Sequence, residues 1–187
     1  MTILHLDSSI TGEASISRQV SQAIVAALSA ADPHATVVRR DLAAAPLPHL
    51  TLDQFADRSV LDEFLAAETI VIGAPMYNFT LPTQLKAWLD RVMIAGETFR
   101  YTADGPEGLA GGKRVIVALA RGGFYGADAP ARAFEHLETY LRTAFGFIGI
   151  APEFVVADGI ATGAEAREAA LGQALAQADA SALQMAA

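Results

Sequence analysis

"TIVIGA" (residues 69–74) runs straight into "PMYNFTLP" (75–82). The first stretch is an unbroken apolar run, the pattern of a parallel strand buried on both faces of its sheet. The second places Met76, Tyr77, Asn78 and Phe79 where a chain leaving a strand ordinarily turns polar. A parallel strand needs parallel neighbours, each reached by a crossover, so the flanks should alternate strand with helix.

They do. Upstream, "TILHLD" (2–7) reads as a strand and "ISRQVSQAIVAALSAA" (16–31) as a helix, with Ile16, Val20, Ile24 and Leu28 at helical spacing. "ATVVRRDL" (35–42) reads as the second strand and "LDQFADRSVLDEFLAA" (52–67) as the second helix. Downstream, "LPTQLKAWLDRVMIAG" (81–96) reads as a helix with Pro82 near its first turn, and "ETFRYTADGPEGLAGG" (97–112) as a turn-rich excursion. "KRVIVALA" (113–120) and "APEFVVADGI" (151–160) are the fourth and fifth strands, with a helix over 131–147 between them. A final helix is predicted to open at Thr162, with Glu165 at capping-box spacing.

Five strands alternating with five helices, without an internal repeat or linker, predict one domain over 1–187: an α/β three-layer sandwich with a five-stranded parallel sheet. With right-handed crossovers the order is the flavodoxin-like 2-1-3-4-5. G-x-G-x-x-G is missing after the first strand, and "LAGGKR" lacks the spacing and the Ser/Thr of a P-loop.

Composition narrows the function. Asp and Glu number 21 against 13 Lys and Arg, and a formal charge of −8 repels a nucleic-acid backbone. With no cysteine, thiol catalysis and disulfides are out. His5, His34, His49 and His136 lack metal-ligand spacing, so no metal site is expected. "MTILHLDSSI" resembles neither a signal peptide nor a membrane span, and the expected location is cytoplasmic. The carboxylates of "LDEF" and "HLE" read as solvated helix faces.

Ligands of open α/β sheets sit beyond the C-terminal strand ends, where the winding reverses. That selects "DSSITGEASIS" after strand 1, "PMYNFTLP" after strand 3 and "ARGGFYG" after strand 4. Ser8, Ser9, Thr11, Ser15 and Ser17 precede or open a helix, whose free N–H groups and nearby hydroxyls suit a phosphate; plain N-capping by Ser15 is the alternative. Pro75 and Pro82 bracket a wall for a flat ring, with packing of Tyr77 and Phe79 under a neighbouring loop as the alternative. Ala120, Arg121, Gly122 and Gly123 offer a backbone rim or an ordinary turn. Together the three loops describe a site for flavin mononucleotide (FMN).

In "PMYNF", "TQLKAWLDRVMIAGETFRYTADGPEGL", "RGG" and "FGFIGI" the chain resembles the FMN-dependent NADH-azoreductases, within the flavodoxin-like NAD(P)H:quinone reductases. The resemblance implies that Ser9, Ser15, Ile16 and Ser17 hold the phosphate. It implies that Met76, Tyr77, Asn78 and Phe79 line the ring, with Ala120 to Gly123 along its other edge. It implies a homodimer with sites at the subunit interface, Tyr101 reaching the other subunit's site and Phe147 helping to wall the substrate pocket. Three features depart from the family pattern. Ala120 replaces a usual hydroxyl residue, Tyr125 stands where some members carry histidine, and the segment between strands 2 and 3 is shorter. The implied activity is two-electron, ping-pong transfer from NADH, with NADPH as the other possible donor, to quinones and azo aromatic compounds. The chemistry is then the flavin's, with no catalytic side chain assigned. A flavodoxin-type electron carrier docking on protein partners is the alternative.

Overall fold

The computed structural model describes residues 1–183. Strand β1 (Thr2–Asp7) leads through a short 3-10 turn at Gly12–Ala14 into helix α1 (Ile16–Ala31), followed by β2 (Thr36–Asp41). A second 3-10 turn at Leu52–Ala56 precedes α2 (Ser59–Ala66). Then come β3 (Thr69–Pro75), α3 (Thr83–Val92), β4 (Phe99–Thr102), β5 (Gly105–Gly108) and β6 (Arg114–Arg121). A 3-10 turn at Arg132–Phe134, α4 (Glu138–Phe147), β7 (Glu153–Asp158) and α5 (Ala164–Leu183) complete the order.

The main sheet is β2-β1-β3-β6-β7, with every pairing parallel. The expected order 2-1-3-4-5 matches it only when β4 and β5 are left out of the count. Those two form a separate antiparallel hairpin within the excursion read as turn-rich. All of β3 is buried, as its apolar run requires. One core, containing Leu4, Leu6, Phe64, Trp88 and Phe145, lies on the α2, α3 and α4 face. A second, containing Ile3, Ile16, Val20, Val71 and Ala174, lies under α1 and α5.

Three helix starts differ from their sequence reading. The segment 52–67 splits because Asp57 accepts the N–H of Ser59, so α2 begins after it. The helix expected over 131–147 begins only at Glu138, where the Glu135 carboxylate accepts the N–H groups of Leu137, Glu138 and Thr139. Thr162 forms no capping box with Glu165; its hydroxyl donates to the Gly159 carbonyl, and α5 starts at Ala164. Nor are the two acidic stretches purely solvated. Glu63 pairs with Arg40, and Glu138 pairs with Arg121 and Arg142.

Candidate active site

The loops after β1, β3, β6 and β7 meet at the C-terminal edge of the sheet. Their meeting is anchored beneath the surface. Gly73 of β3 lies so close to β1 and α1 that a Cβ there would come within 2.6 Å of Asp7 Oδ1 and 3.2 Å of the Ser17 carbonyl. Asp7 accepts from Ser21 and pairs with Arg18, while Arg18 also pairs with Asp41 at 2.8 Å. The hydrogen bond to Asp41 raises the Arg18 guanidinium against the opposing effect of burial. His5, buried, bonds Ser21 at 3.0 Å and Arg39 at 3.2 Å, which makes it part of this scaffold.

Above the scaffold lies a cavity of about 410 Å³, lined in part by Ser9, Ser15, Ile16, Met76, Tyr77 and Ala120. Pro75 and Gly122 also line it, and so do Thr11, Ala14, Ile160, Ala161 and Arg167. At its polar end, Ser15 caps α1 by accepting the N–H of Arg18, and its hydroxyl bonds that of Ser17. Among the described residues, no acceptor takes the N–H groups of Ile16 and Ser17. A helix leaves its first N–H groups free, and they carry the positive end of its dipole.

Tyr77 crosses from the third strand's loop to the first. Its hydroxyl lies 3.2 Å from Ser9 Oγ and accepts the N–H of Ile10 at 3.1 Å. Asn78 and Phe79 form a tight turn, in which Tyr77 and Thr80 exchange both backbone hydrogen bonds. Met76 and Tyr77 separate the cavity from an open groove of about 640 Å³, where Asn78 lies. Phe79 lies outside both, with its exposed ring 5.4 Å from that of Phe134.

The Arg121 side chain does not face the cavity. At 3% exposure it grips Asp158 through two nitrogens and reaches Glu138 at 3.3 Å, which leaves its backbone to the rim. Gly122 and Gly123 are held by the loop after β7, for the Ala161 N–H donates to Gly122 and the Gly159 N–H to Gly123. Tyr125 packs over Gly123. Tyr101 and Phe147 meet around Phe99, with ring centroids 5.7 Å and 4.8 Å from it, and neither lines the cavity.

A family model described as "Flavodoxin-like fold" matches residues 1–182. The chain is 57% identical to the FMN-dependent NADH:quinone oxidoreductase 2 of Bradyrhizobium diazoefficiens, over 94% of this chain and 96% of the relative. The chain belongs to this family. It is also 56% identical to an FMN-dependent NADH:quinone oxidoreductase of Methylorubrum extorquens, with the same coverage of 94% and 96%. Among solved structures it resembles an azoreductase from Bacillus anthracis strain Sterne, with TM-score 0.89 and 29% identity over 97% of this chain and 98% of the other. An FMN-dependent NADH-azoreductase from B. anthracis strain Ames Ancestor, solved in complex with FMN, gives TM-score 0.89 at 26% identity, over 100% of this chain and 99% of the other.

Thr11, offered with the serines of the first loop, lines the cavity, whereas sequence reading missed Ala14, Ile160, Ala161 and Arg167. The last three follow β7, whose C-terminal end opens on the same sheet edge as the three chosen loops. Topology alone therefore could have nominated this fourth loop.

Proposed function

We propose that this chain is a single-domain, FMN-dependent NADH:quinone oxidoreductase that also reduces azo aromatic compounds. One observation carries the reading: the cavity joins neutral phosphate donors at one end to an apolar wall at the other. Its volume falls in the range of about 300–1,000 Å³ usual for small-molecule sites. The free N–H groups of α1 and the hydroxyls of Ser9, Ser15 and Ser17 suit a phosphate. Pro75, Met76 and Tyr77 supply apolar contact area, Asn78 extends the wall into the adjoining groove, and Phe79 shapes the turn that carries them. Ala120, Arg121, Gly122 and Gly123 present backbone along the opposite rim. Bound FMN would supply two-electron transfer between NADH and the acceptor.

In this reading the chain's residues hold and orient, and none acts as a catalytic acid or base. The Tyr77 hydroxyl fixes the Ser9 loop to the ring wall. The Asp158, Glu138 and Arg121 cluster fixes the rim from behind. Two copies pair, in the expected homodimer, so that Tyr101, exposed on its hairpin, serves the site of the second copy, and Tyr125 and Phe147 help shape the acceptor pocket. The acidic surface suits small aromatic acceptors in the cytoplasm better than nucleic acid.

The test is direct. Purified protein should bind FMN, and the yellow colour should bleach when NADH is added without oxygen. Steady-state reduction of a quinone should give parallel double-reciprocal lines, and comparison with NADPH should show the donor preference. A colourless chain that refuses added FMN would end this reading. Intersecting lines would end the shared-site version. Bound FMN that NADH leaves unbleached, but that a reduced carrier protein bleaches, would restore the electron-carrier alternative.

A further inference from the structure

We infer that Arg167, in the first turns of α5, is the cationic phosphate-binding residue of this site and sets its preference for a phosphorylated flavin. The inference rests on the function proposed above. Arg167 lines the cavity beside Ala14, Ser15 and Ile16, and it is the one charged side chain among the lining residues. One guanidinium nitrogen donates to the Ala14 carbonyl at 2.7 Å, bridging α5 to the turn that precedes α1. Among the described residues no other acceptor engages it, and no carboxylate lies within 4 Å of it.

Among the described residues, isolation from carboxylates is the minority state of the arginines, shared with Arg39, which bonds His5, and Arg91, which bonds two carbonyls and Gln54. Arg18, Arg40, Arg58, Arg114 and Arg121 all pair with carboxylates in a chain of net charge −8. The position is itself unusual. A cation near a helix N-terminus opposes the helix dipole, which favours anions there. A helical side chain leans toward the N-terminus of its helix, which carries Arg167 toward the cavity rather than away from it. The hydroxyls and N–H groups around the Ser15 turn are neutral, so without Arg167 the site offers a phosphate dianion no full positive charge against the acidic surface. A guanidinium has five N–H donors in a fixed fork matched to phosphate oxygens, and the Ala14 carbonyl engages only one nitrogen.

The experiment compares FMN with riboflavin, which lacks the phosphate, by quenching of flavin fluorescence on apoprotein. Arg167→Ala should weaken FMN by about ten- to a hundredfold, the scale of a charge-assisted hydrogen bond, and leave riboflavin unchanged. Arg167→Lys should fall between. FMN affinity should also lose part of its salt dependence in the alanine variant. Unfolding of each apoprotein is measured alongside; if Arg167→Ala unfolds early, Arg167→Gln keeps a donor for Ala14 without the charge and decides by the same comparison. Native-like FMN affinity in that variant would overturn the inference. Equal losses for FMN and riboflavin would also overturn it, because they would assign Arg167 to shaping the 12–14 turn. If the native chain takes up neither flavin, the proposed function fails and this inference with it.

Discussion

Asn78 and Phe79 have φ angles of +46° and +75°, the left-handed backbone of a two-residue hairpin turn. Asparagine tolerates that region, whereas a bulky residue such as phenylalanine rarely enters it. Such backbone persists where the surroundings over-determine it. Here the Tyr77–Thr80 bridge and the Phe79–Phe134 contact do so. The turn hands Asn78 two possible roles, turn residue and ligand donor, and an alanine variant alone would confuse them. Asn78→Ala should lower stability by about 1–2 kcal/mol, because its Cβ meets the left-handed clash without the local hydrogen bonding of asparagine. Asn78→Gly should stay within about 0.5 kcal/mol of the native chain, since glycine adopts the angle freely. Denaturant unfolding checks both, and equal losses would refute the turn argument. The glycine variant then isolates the amide: weakened FMN binding in a chain of native stability would make Asn78 a ligand donor.

At the level of elements, α4 begins on a buried carboxylate. Burial alone would raise the Glu135 carboxyl, but the N–H groups of Glu138 and Thr139, the Thr139 hydroxyl and the Leu137 N–H overcome it and hold it below the usual range. A carboxyl with a depressed folded pKa adds stability that is fully present above its unfolded value, about 4.3, and is lost as pH falls through the folded one. Glu135→Gln should therefore be less stable than the native chain at pH 7, and the gap should narrow as pH falls below the unfolded value and on through the lower folded one. Parallel thermal melts across that range check it, and a gap independent of pH would refute it. This cap also shows why the start of α4 was not legible. The apolar spacing of "ARAFEHLETYLRTAFGF" continues through the 3-10 turn, and only the three-dimensional closure of Glu135 onto three N–H groups sets the boundary. By contrast α1 matched its expected span, since Ser15 caps it locally and Ile16, Val20, Ile24 and Leu28 all face one core.

For the molecule as a whole, the sheet was legible because parallel strands buried on both faces read as near-continuous apolar runs, as "IVIGA" and "VIVALA" do. The hairpin at 99–108 was not. Its strands are short, and position 108 must be glycine because a Cβ there would collide with the Gly149 backbone nitrogen just past α4, a contact invisible to local pattern. The site was legible where the three chosen loops supply it and not where distant chain supplies it, as Ile160 and Arg167 do. The apolar groups that the single chain leaves exposed allow a test of the expected second copy. Ile10, Phe79, Phe124 and Phe134 are exposed in loops around the site, and so is Tyr101 on the hairpin. Apolar groups gathered beside a ligand cavity mark an interaction surface more often than bare surface. Replacing Phe134 by a charge removes its contact with the Phe79 ring but should leave the isolated fold intact, since Phe134 is more than half exposed and the Tyr77–Thr80 bridge still holds the turn, while it should oppose burial against a partner. Phe134→Glu is thus expected to convert a dimer in sedimentation equilibrium into a monomer with native circular dichroism and reduced quinone turnover. A native chain that sediments as a monomer, or a variant that stays dimeric and fully active, would place the subunit contact elsewhere or remove it.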